Sequence, residues 1–212
     1  MDLTPEQWKL VAAVAAALVV LVGVLAFASS RAKAIGRRLV MVARDAGWQN
    51  PEPMKFLAAG VRGQWNGFDA AIRRIPRQKA IPEKVITLIR LQVPARLFIT
   101  RRMHGFRGGR PFTMFGPPLV ELRSGAGAEF WIRADEASLA ERLFASADLP
   151  ALLERNLVSR FDVMALAGDS LRIVRAFVGA GFGGVSSAQL ALTAREELDL
   201  ARATVEALAL RP

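Results

Sequence analysis

Residues 10–28, LVAAVAAALVVLVGVLAFA, form a run of nineteen positions without a charge. At about 1.5 Å of rise per residue, a helix of that length spans roughly 28 Å, which matches the ~30 Å hydrocarbon core of a bilayer. The stretch reads as a membrane anchor. A cleaved signal peptide is the rival reading, because Ala26, Phe27 and Ala28 ahead of Ser29 have the small-x-small form of a cleavage site. Against it stand an apolar run longer than such cores usually have and a leading segment with Asp2 and Glu6 against only Lys9.

Working outward, Arg31, Lys33, Arg37, Arg38 and Arg44 follow the apolar run at once. The positive-inside rule then places the carboxyl side in the cytoplasm and the short amino-terminal tail outside, with Trp8 where an interfacial aromatic is expected. The anchor carries no polar side chain to hold a pigment, haem or ion. Ala12 with Ala16 and Ala13 with Ala17 supply small-residue spacings that permit packing against another helix. Beyond it, Ala32, Ile35, Leu39, Val42, Ala43 and Ala46 share one helical face, so residues 29–47 read as a basic amphipathic connector lying near anionic headgroups or exposed to water. Gly47, Pro51 and Pro53 interrupt the helical pattern, and the domain is expected from residue 48.

Between residues 54 and 103 the period changes to two. A strand is expected near residues 56–63, then alternating runs at residues 68–73, 85–93 and 96–100. Short connections between them suggest an antiparallel meander. In the carboxyl half, residues 129–134 read as a strand entering a helix that Asp135 caps, and Asp148 caps a second helix opened by Leu149 and Pro150. The clearest hairpin joins residues 160–166 to residues 170–177 through Gly168 and Asp169, a glycine-first pair suited to a type II′ turn. Ser186 with Gln189 makes a capping box for a long last helix striped by Leu190, Ala194, Leu198, Ala201, Val205 and Leu208.

The net charge of +10 is concentrated: residues 55–110 hold 13 Lys and Arg against 2 Asp and Glu. Arg73, Arg74, Arg77 and Lys79, joined by Arg107 and Arg110 from a glycine- and proline-rich loop at residues 104–118, form a candidate surface for an anionic ligand. Phe106, Phe112 and Phe115 of that loop are candidates for packing on the domain, on a partner or into a membrane surface. Its short basic and aromatic run is weak as a nucleic-acid signal.

Catalytic signals are missing. The chain has no cysteine, no tyrosine and one histidine, His104, so thiolate metal sites, disulfides and cysteine nucleophiles are excluded and imidazole chemistry rests on a single residue. Asp135, Glu136 and Glu141 show no repeated ligand spacing and read as caps and a solvated face. Gly179, Gly181 and Gly184 fit the spacing G-x-G-x-x-G after a strand, but the rest of the chain is one helical stripe and offers no parallel strand with a ribose-binding acid. The expectation is no catalytic residue, no metal and no cofactor.

The order of these elements is familiar. Residues 130–135 (FWIRAD) entering a helix with residues 141–144 (ERLF), then residues 149–154 (LPALLE), residues 168–175 (GDSLRIVR) and a closing helix resemble bacterial membrane-anchored α+β domains of unknown function. The likeness covers residues 55–210 in layout and 128–176 in detail, and its motifs are structural. The arginine-rich segment at residues 107–110 departs from that pattern, as does the lack of an acidic-aromatic pair before Trp131. The resemblance implies an α+β domain behind a membrane span and carries over no active residue.

The sequence therefore predicts an α+β protein: an external tail at residues 1–9, a transmembrane helix at residues 10–28, a connector helix at residues 29–47, and a cytoplasmic domain at residues 48–212. Within that domain an antiparallel sheet of about six or seven strands packs with two short helices and a long carboxyl-terminal one. The functional expectation is a non-enzymatic, single-pass accessory or scaffold subunit of the inner membrane, with the bilayer and other membrane subunits as partners. The alternative is a module binding a lipid headgroup, a nucleotide or nucleic acid, the last being least favoured.

Overall fold

A computed structural model describes residues 4–54, 59–78, 82–93, 95–102, 119–120, 129–159, 161–178 and 184–210. Lys79, His104, Phe106, Arg107, Arg110, Phe112 and Phe115 lie outside the described residues.

The apolar run belongs to one uninterrupted helix, α1 (Pro5–Asp45), of 41 residues. Thr4 and Gln7 start it with a reciprocal capping box: Thr4 N donates to Gln7 Oε1 at 2.7 Å, and Gln7 N to Thr4 Oγ1. The first half is solvent-facing along its whole apolar length, with Val19 72% and Phe27 70% exposed. By length and composition this half suits a membrane span, a character that a signal sequence near an amino terminus shares. Burial begins at Ala32. Ile35, Leu39, Val42 and Ala43, read from the sequence as the apolar face of a connector, enter the core of the domain together with Gly36, while Lys33, Arg37, Arg38 and Arg44 remain exposed.

Nine strands follow among the described residues: β1 (Gln49–Pro53), β2 (Gly60–Trp65), β3 (Phe68–Ile75), β4 (Glu83–Arg90), β5 (Leu97–Arg101), β6 (Leu119–Val120), β7 (Phe130–Ala134), β8 (Val163–Ala167) and β9 (Ser170–Phe177). Helices α2 (Ala137–Phe144) and α3 (Leu149–Asn156) separate β7 from β8, and α4 (Ser187–Ala207) closes the chain. The protein is thus α+β, with more strands than the periodicity predicts. The extra ones are β1, where two prolines conceal an edge strand, and the two-residue β6. All pairings are antiparallel, in the order β1-β2-β3-β4-β9-β8-β5-β7-β6. The late hairpin β8-β9 inserts at the centre and joins the meander β1–β4 to the remaining strands. Its turn has Gly168 at φ +63° as its first central residue, where an L side chain is strained.

The helices share one face of the sheet. α1 packs on β1, β2 and α4, α4 lies over β4 and β9, α3 runs beside α4, and α2 rests on β7. Strand alternation supplies that face with Val61, Trp65, Phe68, Ile72, Val85, Ile89, Leu97, Ile99, Ile132, Leu171 and Ile173, all nearly sealed from solvent. Asp135 does not cap α2. The cap position falls to Glu136, which makes no side-chain bond, and Asp135 accepts from the backbone N–H of Arg96 at 2.9 Å and takes its guanidinium with two contacts at 3.1 Å. Asp148 occupies the cap position of α3 but makes no capping bond either. At α4, Ser186 Oγ does accept from Gln189 N, at 3.1 Å.

Candidate functional site

Three groups of polar residues stand out, and consecutive residues of β3 separate two of them. Arg73 and Arg74, paired by the sequence on one candidate surface, point to opposite faces of the sheet because strand side chains alternate.

Arg74 faces the helices. Its Nε donates to Glu83 Oε1 at 2.5 Å, with the two side chains only 14% and 2% exposed. Glu83 Oε2 accepts the backbone N–H of Val185 at 3.1 Å, and Arg31 Nη2 of α1 donates to the Val185 carbonyl at 3.5 Å. This junction ties the helix leaving the apolar run to β3, β4 and the segment entering α4. Gly184 makes the close approach feasible: it sits at φ +66°, and a Cβ there would fall 2.9 Å from Glu83 Oε2 and 3.1 Å from Arg31 Nη2. The glycine pattern at residues 179–184 thus ends at a packing point, and the sheet carries no parallel strand among the described residues.

The second group is buried under α4. Thr87 Oγ1 of β4 donates to Glu197 Oε2 at 2.5 Å, while Glu197 Oε1 has no partner. Burial, first of all, pushes this carboxyl up to about 8, against the smaller opposing pulls of the Thr87 hydroxyl and Arg175. Asp162 is likewise raised, mainly by burial, although it accepts from the N–H groups of Val158, Ser159 and Ala176 at 2.8, 2.5 and 2.7 Å. Those three bonds make Asp162 the organiser of the turn into β8. No cluster of metal-binding side chains occurs among the described residues.

The third group is the opposite, helix-free face of the sheet. At its β1–β4 end lies a cavity of about 550 Å³. Arg62, Asp69, Ala71, Arg73, Leu88 and Arg90 line it, together with Gln49, Glu52 and Gln64. Of the three described basic residues singled out by sequence, Arg73, Arg74 and Arg77, Arg73 belongs to it. Arg62 and Arg90 escape a reading by clusters because they stand alone in the chain. Strand parity is the signal that finds them: Arg62, Ala71 and Leu88 form one cross-strand row, and Arg73 and Arg90 share its face. Arg77 is exposed and engaged in an interaction of its own. Trp8 is exposed on the first half of α1.

No family model matches the chain. No curated protein matches it either. Among solved structures, it is similar to the crystal structure of the mycobacterial trehalose monomycolate transport factor A, TtfA, with a TM-score of 0.44 and 15% identity over 80% of this chain and 95% of that one.

Proposed function

We propose that this chain is a non-enzymatic accessory subunit, held in the inner membrane by a single span with its domain in the cytoplasm, and that it works docked to a larger membrane protein assembly. The observation that carries this reading is the continuity of α1: an exposed apolar half passes without a break into a half that is built into the domain core. A flexible linker would let the domain swing freely; here a helix of roughly 60 Å couples them as one piece. The exposed Lys33, Arg37, Arg38 and Arg44 on the emerging turns agree with a cytoplasmic, membrane-facing position.

The test is affinity purification of the full-length protein from native membranes in mild detergent, with mass spectrometry of the amino terminus and of co-purifying proteins. A matched variant carries an unrelated span in place of residues 10–28. The expected result is an intact amino terminus and a stoichiometric membrane partner; its loss in the variant assigns docking to the span, and its retention assigns docking to the domain. A chain cleaved after Ala28, or one recovered only as a lone monomer, overturns the reading.

A further inference from the structure

The two faces of the sheet treat arginine differently. On the helix-covered face Arg74 is neutralised by Glu83, and Arg175 by Glu196 of α4. On the open face Arg73 and Arg90 meet no carboxylate within ion-pair distance among the described residues, and Arg62 keeps only an exposed contact with Glu52 at 3.6 Å. Each of these two half-buried arginines is given an acid. On the open face the charge is left available.

Register then arranges the open-face arginines around one apolar pair. Ala71 of β3 and Leu88 of β4 lie opposite each other. Arg62 stands across from Ala71 on β2, and Arg172 across from Leu88 on β9. Arg73 lies two residues beyond Ala71 and Arg90 two beyond Leu88, and because the strands are antiparallel they occupy opposite ends of the pair. Their Cα atoms are separated by roughly 13 Å along the strands, a distance that two extended guanidinium side chains can close from either end. The cavity at this spot, about 550 Å³, falls in the range usual for small-molecule sites, roughly 300–1,000 Å³.

We propose that this cavity is a binding site for a phosphate monoester, with Arg73 and Arg90 holding the phosphate and the Ala71–Leu88 floor taking the apolar part of the ligand. A guanidinium presents a planar fork of donors that matches phosphate oxygens, and it keeps its charge at any physiological pH. Asp69 and Glu52 line the same cavity, Glu52 at 3.6 Å from Arg62. These two carboxylates repel a second anionic group and offer acceptors to ligand hydroxyls, so one phosphate with a neutral body fits better than a polyphosphate. Among the described residues, the aromatic side chains of this face, Phe98 and Trp131, belong to β5 and β7 at the other end of the sheet, and none of them offers a platform for stacked bases at the cavity. The site lies on the domain and stands whether or not the chain works with a partner subunit.

The experiment uses the full-length protein in a neutral detergent, titrated calorimetrically with inorganic phosphate, with glycerol 3-phosphate and with a short-chain phosphatidate below its micellar concentration. The wild type is expected to bind, and R73Q/R90Q to bind at least tenfold more weakly; both residues are exposed, so the variant is expected to unfold at the wild-type temperature. R37Q/R38Q, which removes two exposed charges of α1, leaves binding unchanged. Phosphatidate binding at least tenfold tighter than glycerol 3-phosphate identifies a lipid headgroup as the source of the phosphate, and parity identifies a water-soluble ester. Absence of binding for all three probes, or binding unaffected by R73Q/R90Q, overturns the assignment.

Discussion

Thr87 and Glu197 join the middle of the sheet to the middle of α4 through a 2.5 Å hydrogen bond from hydroxyl to carboxyl, sealed from solvent on both sides. The fold holds the Glu197 carboxyl up at about 8, against 4.5 as its ordinary value, so the native state binds a proton that the unfolded chain releases. Stability from this group is therefore complete below pH 4.5, declines between 4.5 and 8, and levels above. Asp162, also raised, adds a decline of the same sign. Glu197→Gln mimics the protonated side chain. Its thermal unfolding midpoint in detergent is expected to match the wild type near pH 5 and to exceed it by several degrees at pH 8, the carboxylate penalty being on the order of a few kcal/mol. A wild-type midpoint that is flat from pH 5 to 8 contradicts this account.

Glu83→Gln tests the junction of α1 with the sheet. The substitution leaves the nearly buried Arg74 without its counter-charge, and loss of one partner of a buried pair costs about 3–5 kcal/mol. Denaturant unfolding should show a loss at the lower end of that range, since Arg74 retains 14% exposure. An unchanged midpoint would mean that the junction does not hold α1 in place.

The two halves of α1 should respond differently to the same truncation. Leu39 is 1% exposed and packed in the domain, so Leu39→Ala is expected to cost about 2–4 kcal/mol. Val20 is 65% exposed, and Val20→Ala should leave denaturant unfolding of the domain unchanged. Equal effects at the two positions would contradict a helix shared between an exposed span and a core.

Gly60→Ala probes the β2–β3 contact. A Cβ at Gly60 would lie 2.6 Å from the Ile72 carbonyl oxygen, a backbone atom that cannot move aside alone. The expected loss is about 1–3 kcal/mol, as for overpacked cores, and amide hydrogen exchange should rise first in β1 and β2. Wild-type exchange in those strands would refute it.

Much of this was legible in the chain. The change from an apolar run to a 3.6 period to a 2.0 period marked the helix, the strands β2 to β5 and the closing helix, and Gly168 marked the central hairpin. Local pattern failed where a residue's partner is distant in sequence. Asp135 reads as a helix cap until Arg96, 39 residues earlier, claims both its oxygens. Pro51 and Pro53 read as breakers because only the pairing of Glu52 with Arg62 and Pro53 with Val61 makes β1 an edge strand.

The candidate site divides along the same line. The α+β class, the apolar first helix, the excess of basic residues in the first half of the domain, and the lack of cysteine and tyrosine are all written in the chain, because composition and period are local properties. Which arginines share a face follows from strand pairing alone. Strand alternation sends Arg73 to the open face and its neighbour Arg74 into an ion pair with Glu83. The pairing of β2, β3, β4 and β9 then gathers Arg62, Arg73, Arg90 and Arg172 from positions up to 110 residues apart around Ala71 and Leu88. Register is set by the burial of the other face against α1 and α4, and a shift of one residue would turn every one of these side chains inward.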